Sequence, residues 1–284
     1  MDSGPPDRVS VHGGHSGEFC SHARDRLDEV IEAYCAQGFA WVGITEHMPA
    51  ARDGLVPPEE RAAGLDAAAT QQRFRRYFAR ARELQAAYAG RLRVLVGFEA
   101  EAHSGYEAFV RDWIRELEPD YIVGSVHHVH DLTIDASPDV WAECAERSGG
   151  IPALYCDYFD VQLEMLERLR PAVVGHLDLV RLLDPGYPEH LAAPEVWHRV
   201  ERNLDRVAEQ GAILDVNVRA LAKGQSEPYP SRPILEAALR RGIAVAPGDD
   251  SHGVASVGAH FDEGARLLAE LGFPTDWPVP GGER

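Results

Sequence analysis

A chain of 284 residues with 45% apolar content can bury a large core, enough for one α/β barrel or two smaller domains. Its 46 acidic residues outnumber 28 basic ones, and the resulting formal charge of -18 repels phosphate backbones, which argues against a nucleic-acid partner. No stretch reaches membrane-spanning length, residues 1–8 lack the apolar segment of a signal peptide, and four cysteines (Cys20, Cys35, Cys144, Cys156) show no C-x-x-C spacing. Reduced thiols, a cytoplasmic location and no membrane partner are therefore expected.

In chain order, Val9-Ser10-Val11 reads as a short strand running into His12. Leu27, Val30, Ile31, Tyr34 and Cys35 then recur at helical spacing, with Gly38 as the stop. Trp41 to Glu46 is a strand that delivers His47. An irregular segment, 48–68, precedes a helix marked by Phe74, Tyr77, Phe78, Ala81 and Leu84. Arg93 to Phe98 is a strand ending at Glu99, and Gly97 within it lets backbone or ions approach closely. Phe109, Trp113, Ile114 and Leu117 mark a helix closed by Pro119. The strand Ile122 to Val126 delivers His127 and is followed by a second irregular segment, 128–139. A helix over 155–169 leads to the strand Val173-Val174-Gly175 and His176.

Pro194 suits the first turn of the next helix, which carries Val196, Val200, Leu204 and Val207. Ala212 to Asn217 is a further strand, followed by a third irregular segment, 218–230. Ser231 is placed to cap a helix through Arg241. Ile243 to Gly248 ends in Asp249-Asp250-Ser251-His252, and a last helix over about 258–271 precedes a loose Pro/Gly-rich tail. The pattern is about seven strand–helix units with near-continuous apolar strands, the signature of a parallel α/β barrel. It is read as one domain over 1–284 with an ordered core of about 8–272. The three irregular segments fall after strands, so they belong on the catalytic face as lids or walls.

Imidazoles and carboxylates repeated at strand ends are what a site for divalent metals needs. Asp250-x-His252 directs two such groups to one place; Asp249 is the rival of Asp250 but lacks the D-x-H spacing. His190, His198 and His260 fall in or near helices and are expected to be solvated. Cys20, between His15 and His22, is read either as a ligand or redox group or as a small apolar filler.

These residues resemble the polymerase-and-histidinol-phosphatase (PHP) family of metal-dependent phosphoesterases, and within it the monofunctional histidinol-phosphatases. The likeness is carried by His15-Ser16-Gly17-Glu18-Phe19-Cys20-Ser21-His22, Ile44-Thr45-Glu46-His47, Gly97-Phe98-Glu99, Ser125-Val126-His127, Val174-Gly175-His176-Leu177-Asp178, Val216-Asn217, Tyr229-Pro230-Ser231 and Gly248-Asp249-Asp250-Ser251-His252. The resemblance implies an α/β fold, a distorted seven-stranded (β/α)7 TIM-like barrel. It implies divalent metals, three of them (Zn, Mn or Fe), held by His12 or its neighbour, His15, His22, His47, Glu99, His127, His176, Asp250 and His252. Glu99 would bridge, with Glu101 as its alternative. Glu99, His176 and Asp250 are expected to be catalytic, and His128 and His130 to face substrate.

One departure stands at the start. The family opens with H-x-H, whose alternate residues point the same way along a strand, whereas His12-Gly13-Gly14-His15 has one residue more. Either a bulge at Gly13-Gly14 restores the common direction, or Gly13 takes the first ligand position and one ion is under-coordinated.

Clustered ions suit hydrolysis of a phosphate ester without a Ser or Cys nucleophile, and the expected partner is a small phosphorylated substrate. Likeness to the histidinol-phosphatase branch implies metal-bound hydroxide attacking L-histidinol phosphate. The loop from Asn217 to Lys223 lacks an arginine expected beside Lys223, so Arg219 or Arg181 is expected to join Lys223 in holding the phosphate. Glu46 and Glu101 are candidates for the substrate amine or for orienting a ligand imidazole. A related phosphoesterase acting on a nucleotide or sugar phosphate is the alternative. The general acid and the oligomeric state stay open.

Overall fold

The strands read as unbroken apolar runs because both of their faces are covered. In the strand Phe39–His47, Val42, Gly43 and Ile44 are consecutive and all buried. The computed structural model describes residues 6–282, so the reading of residues 1–8 falls largely outside the described residues. In chain order the strands are β1 Arg8–Ser10, β2 Phe39–His47, β3 Arg93–Glu101, β4 Tyr121–Ser125, β5 His128–Val129, β6 Leu132–Thr133, β7 Val173–Val174, β8 Ile213–Asn217 and β9 Val245–Gly248. Seven of them form one parallel sheet in the order β1-β2-β3-β4-β7-β8-β9. The chain then closes the sheet on itself. Val11 donates its N–H to the Pro247 carbonyl at 2.9 Å, and Asp250 donates to the carbonyl of His12 at 2.8 Å. This is the expected seven-stranded α/β barrel.

Parallel neighbours need crossover connections, and amphipathic helices supply them. The anticipated helices are Leu27–Ala36, Ala67–Tyr88, Tyr106–Leu117, Ile151–Leu169, Pro194–Gln210, Arg232–Arg240 and Phe261–Leu271. Because all the strands run the same way, their C-terminal ends gather on one rim. Register makes this exact for two of them: His47 of β2 lies opposite Glu99 of β3.

Four details depart from the sequence reading. Pro138–Ser148 forms a helix that was not anticipated, capped by the Ser137 hydroxyl accepting from Val140 N–H at 3.3 Å. The Ser231 hydroxyl makes no cap bond; Ser231 occupies the N-cap by backbone position alone. The stretch from Phe273 to Trp277 is packed, with both of these residues buried and the Trp277 indole donating to Asp7 O at 2.9 Å. The three segments expected to be irregular each contain short regular structure: Asp53–Leu55 and Pro58–Ala62, the β5–β6 hairpin, and Arg219–Ala222.

Tyrosine hydroxyls reach across to strand carbonyls, Tyr121 from β4 and Tyr77 from the helix Ala67–Tyr88. The Tyr121 hydroxyl donates to Val11 O at 2.6 Å, and Tyr77 lies 2.7 Å from the carbonyls of both Ile44 and Gly97. Gly43 makes room for the Tyr121 side chain, and Gly97 for the backbone of the neighbouring strand. A Cβ on Gly43 would stand 1.7 Å from the Tyr121 hydroxyl, and one on Gly97 would stand 2.5 Å from the Tyr121 carbonyl. Gly43→Ala is therefore expected to lower stability by about 1–3 kcal/mol through overpacking. Gly54→Ala, whose nearest new neighbour is 3.9 Å away, should change it by less than about 0.5 kcal/mol. Equal thermal unfolding midpoints for the two variants would contradict this packing account.

Candidate metal centre

Glu99 sits at the middle of the C-terminal rim with 1% of its surface exposed. Its Oε2 lies 2.9 Å from His47 Nδ1 and 3.5 Å from His12 Nε2. Its Oε1 lies 2.9 Å from His176 Nε2 and 3.7 Å from His127 Nε2. Glu101, two residues on and so on the same strand face, stands 3.3 Å from His47 Nδ1 and 3.7 Å from His127 Nδ1. Beside them, His15 Nε2 is 3.3 Å from Asp250 Oδ1, and the His15 ring stacks on His252 at 4.3 Å. His22 Nε2 faces His252 Nε2 at 3.0 Å. All nine side chains anticipated as metal ligands therefore meet in one place. Their donor atoms fall into overlapping groups spanning no more than 4.8 Å: His12, His15 and Asp250; His12, Glu99 and His176; His15, His47 and Glu99; Glu99, Glu101 and His127; and Cys20, His22, His47 and His252.

The extra residue in His12-Gly13-Gly14-His15 is absorbed by backbone conformation. Gly14 has φ +75°, which glycine adopts without a steric penalty, and both imidazoles end up buried with ring centres 6.1 Å apart. A Cβ on Gly14 would meet Ile44 Cδ1 at 2.4 Å. Two other members hold left-handed backbone that non-glycine residues seldom adopt, His176 at φ 21° and Asp250 at φ 45°.

Several rings are oriented from behind. His12 Nδ1–H donates to Asp215 Oδ2 at 2.8 Å, His15 Nδ1–H to Glu46 Oε1 at 2.9 Å, and His252 Nδ1–H to the Asp250 carbonyl at 2.9 Å. With Nδ1 protonated, a neutral ring offers the Nε2 lone pair to the cluster. His12 Nε2, His15 Nε2 and His47 Nε2 are buried there without hydrogen-bond partners. Asp215 is the residue the sequence reading passed over. Its signal was present, a lone carboxylate in the otherwise apolar Ile213-Leu214-Asp215-Val216 run.

The electrostatics are those of opposed charges buried close together. Burial alone would raise the Glu99 carboxyl, but the charges of His12, His127 and His47 outweigh it and hold Glu99 well below the usual carboxylate range. Glu101 is brought down to about 2, burial again being outweighed, here by His127 and His47. Burial would lower His12, yet Glu99 and Asp215 raise it well above the ordinary imidazole value; Glu99 does the same for His47. His22 falls to about 4 through burial and its neighbours His47 and His15. Burial pushes the Cys20 thiol up to about 12.

The remaining expected residues divide. Arg219 and Lys223 line a cavity of about 580 Å³ that opens over the cluster, and Arg219 Nη1 donates to the Asp250 carbonyl at 3.1 Å. Arg181 does not join them. It is 1% exposed, with Nε on Asp178 Oδ2 at 3.1 Å, Nη1 on Gln225 Oε1 at 2.9 Å, and Nη2 on the carbonyls of Glu227 and Pro228 at 3.0 and 2.7 Å. Its guanidinium lies over the Tyr229 ring at 4.4 Å. Every direction from which a phosphate would approach is occupied, so Arg181 is corrected to a brace for the 218–230 segment. Asp249 also faces away from the cluster, accepting from Ser10, Tyr34 and Gly258. His128 lines the cavity, whereas His130 turns outward to Ser148 and Asp157.

Arg181→Ala would leave the buried Asp178 carboxylate without its opposite charge, holding only the Ser231 N–H at 3.0 Å, at a cost of about 3–5 kcal/mol. A large drop in the unfolding midpoint is the expected result; an unchanged midpoint with weakened phosphate binding would return Arg181 to the substrate.

The sequence matches the model of the PHP domain over residues 13–219. A Schizosaccharomyces pombe protein named probable histidinol-phosphatase is 34% identical over 270 residues, which cover 93% of this chain and 87% of that protein. Histidinol-phosphatase of Saccharomyces cerevisiae is 28% identical, covering 92% and 88%. Among crystal structures, the histidinol phosphate phosphatase of Lactococcus lactis, complexed with Zn, L-histidinol and phosphate, aligns with a TM-score of 0.70 and 19% identity over 94% of this chain and 95% of its own. The match to the domain model over most of the chain and the 34% identical relative show that the chain belongs to the PHP domain family.

Proposed function

We propose that this cavity is the active site of a metal-dependent phosphomonoesterase whose substrate is L-histidinol phosphate, released as L-histidinol and phosphate. The observation that carries the reading is the set of buried, unpartnered ring nitrogens facing Glu99 and Asp250, a donor arrangement that neutral hydrogen bonding leaves unsatisfied and divalent cations would satisfy. His12, His15, His22, His47, Glu99, His127, His176, Asp250 and His252 are the proposed ligands of three ions, with Glu99 shared between groups. Mixed imidazole and carboxylate donors suit Zn, Mn or Fe. Bound there, such ions would offset phosphate charge and make water a stronger nucleophile at neutral pH.

The chain's own groups do the rest. Asp215 and Glu46 hold the His12 and His15 rings in one tautomer. Arg219, fixed by its bond to the Asp250 carbonyl, presents its guanidinium to phosphate oxygens. Lys223 adds a point charge at the cavity wall, and it is the single lysine in a chain whose basic residues are otherwise arginine. Glu46 is committed to His15, so the substrate ammonium falls to Glu101 and Asp135, which line the cavity. Cleavage of a different small phosphate ester is the second reading, since the cluster and the two cations would serve it equally.

Three experiments follow. Steady-state assays of the metal-loaded protein against a panel of phosphomonoesters should give the highest kcat/KM for histidinol phosphate. Asp215→Asn should lower metal affinity or activity by roughly 10- to 100-fold. Preference for another ester would remove the substrate assignment and leave the reaction class standing. Separately, His12 and His47 are raised above the ordinary imidazole value when no cation is present, so at neutral pH they hold protons that a cation must displace. Metal addition to the chelator-stripped protein in weak buffer should release protons, and affinity should fall as pH falls. Uptake without proton release would contradict those two residues as ligands.

A further inference from the structure

The groups at the rim differ in charge. Those containing Glu99, Glu101 or Asp250 bring carboxylates, but His22, His47 and His252 are three imidazoles with no carboxylate among them. An ion held by these alone would keep its full charge. The fourth member of the group is Cys20, 2% exposed, with Sγ 3.3 Å from His22 Nδ1 and 3.4 Å from His22 Nε2.

We propose that Cys20 is the thiolate ligand that completes this group, making it a sulfur–nitrogen site distinct in donor chemistry from the carboxylate-bearing groups beside it; this rests on the metal-dependent reading above. Tetrahedral ligation at ordinary zinc bond lengths places two nitrogens about 3.3 Å apart, and sulfur and nitrogen about 3.6 Å apart. The structure has His22 Nε2 and His252 Nε2 at 3.0 Å and Cys20 Sγ and His22 Nε2 at 3.4 Å, so small adjustments admit an ion. His22 Nδ1 is turned to Glu59 Oε1 at 3.2 Å, which leaves Nε2 for the ion, and His47 Nε2 is buried without a partner.

The loop is built to hold both residues in place. Cys20 N–H donates to Ser16 O at 2.9 Å, Arg24 N–H donates to His252 O at 2.9 Å, and Ser21 N–H and hydroxyl both donate to the buried Glu60 carboxylate at 3.0 and 2.8 Å. A thiolate supplies the anion the imidazoles lack. It also biases this position toward Zn, Co or Fe(II) over Mn or Mg, because soft sulfur favours the former.

The test is cobalt substitution in the full-length protein, with bound cobalt counted. Cobalt-loaded protein is expected to show a sulfur-to-cobalt charge-transfer band in the near ultraviolet. In Cys20→Ser that band should vanish, and the affinity for one cobalt should fall by at least about tenfold, the lower end of what loss of even an outer partner costs. Zinc-edge X-ray absorption of the unaltered zinc protein gives the same answer without a variant, through a sulfur neighbour at about 2.3 Å. Cobalt bound with no such band, zinc with no sulfur neighbour, or a band that survives Cys20→Ser would overturn the assignment of Cys20 alone. Failure to bind any cobalt would overturn the metal-dependent reading with it.

Discussion

A carboxylate taken out of water is costly unless opposite charge surrounds it, and the penalty is several kcal/mol for a single ion. Glu99 is in that position, and the barrel is arranged around it. His12 follows β1, His47 ends β2, His127 follows β4 and His176 follows β7, so four separate strand–helix units contribute an imidazole to one carboxylate. Parallel strands make this feasible, because every unit delivers its C-terminal end to the same rim. Closure makes it complete: the bonds from Val11 to Pro247 and from Asp250 to His12 bring the two ends of the sheet together, and with them His15, Asp250 and His252.

Around that centre, buried polar groups follow two patterns. One faces the cavity with donor atoms left free, as in His12, His15 and His47. The other is fully paired and ties the rim together: Arg181 with Asp178 and three groups of the 218–230 segment, Glu60 with Ser21 and Arg73, Asp249 with Ser10, Tyr34 and Gly258. Interiors satisfy most of their polar groups, so several unpaired ring nitrogens gathered around Glu99 and Asp250 mark where a ligand belongs. The left-handed backbone at His176 and Asp250 lies at the same spot, and strain of that kind persists only where surrounding structure over-determines it.

Much of this was legible in the sequence, because strand ends are easy to read. Apolar runs stopping at His47, Glu99, His127 and His176 locate the rim without knowledge of the third dimension. Even the departure at His12-Gly13-Gly14-His15 could be framed in advance, as a bulge or a lost ligand, although the left-handed backbone of Gly14 that absorbs it was not foreseen. What escaped depends on burial, which sequence does not state. Arg181 lies five residues after His176 and looked free to bind phosphate; only the fold shows its guanidinium enclosed by Asp178, Gln225 and two carbonyls. Asp215 looked like one strand residue among several until its carboxylate was seen behind His12. Trp277 sits in a Pro/Gly-rich tail that reads as loose, yet its indole is anchored on Asp7.

The chemistry of the rim depends on these side chains caging divalent cations rather than merely neutralising one another. Anomalous diffraction from crystals of the zinc-loaded protein, recorded on both sides of the zinc absorption edge, tests it most directly. The expected map has peaks within bonding distance of Glu99 and of the unpartnered His12 and His15 nitrogens, with a further peak among His22, His47 and His252. A map with no peak at the rim, or with zinc only on histidines away from it such as His198 or His260, would contradict it.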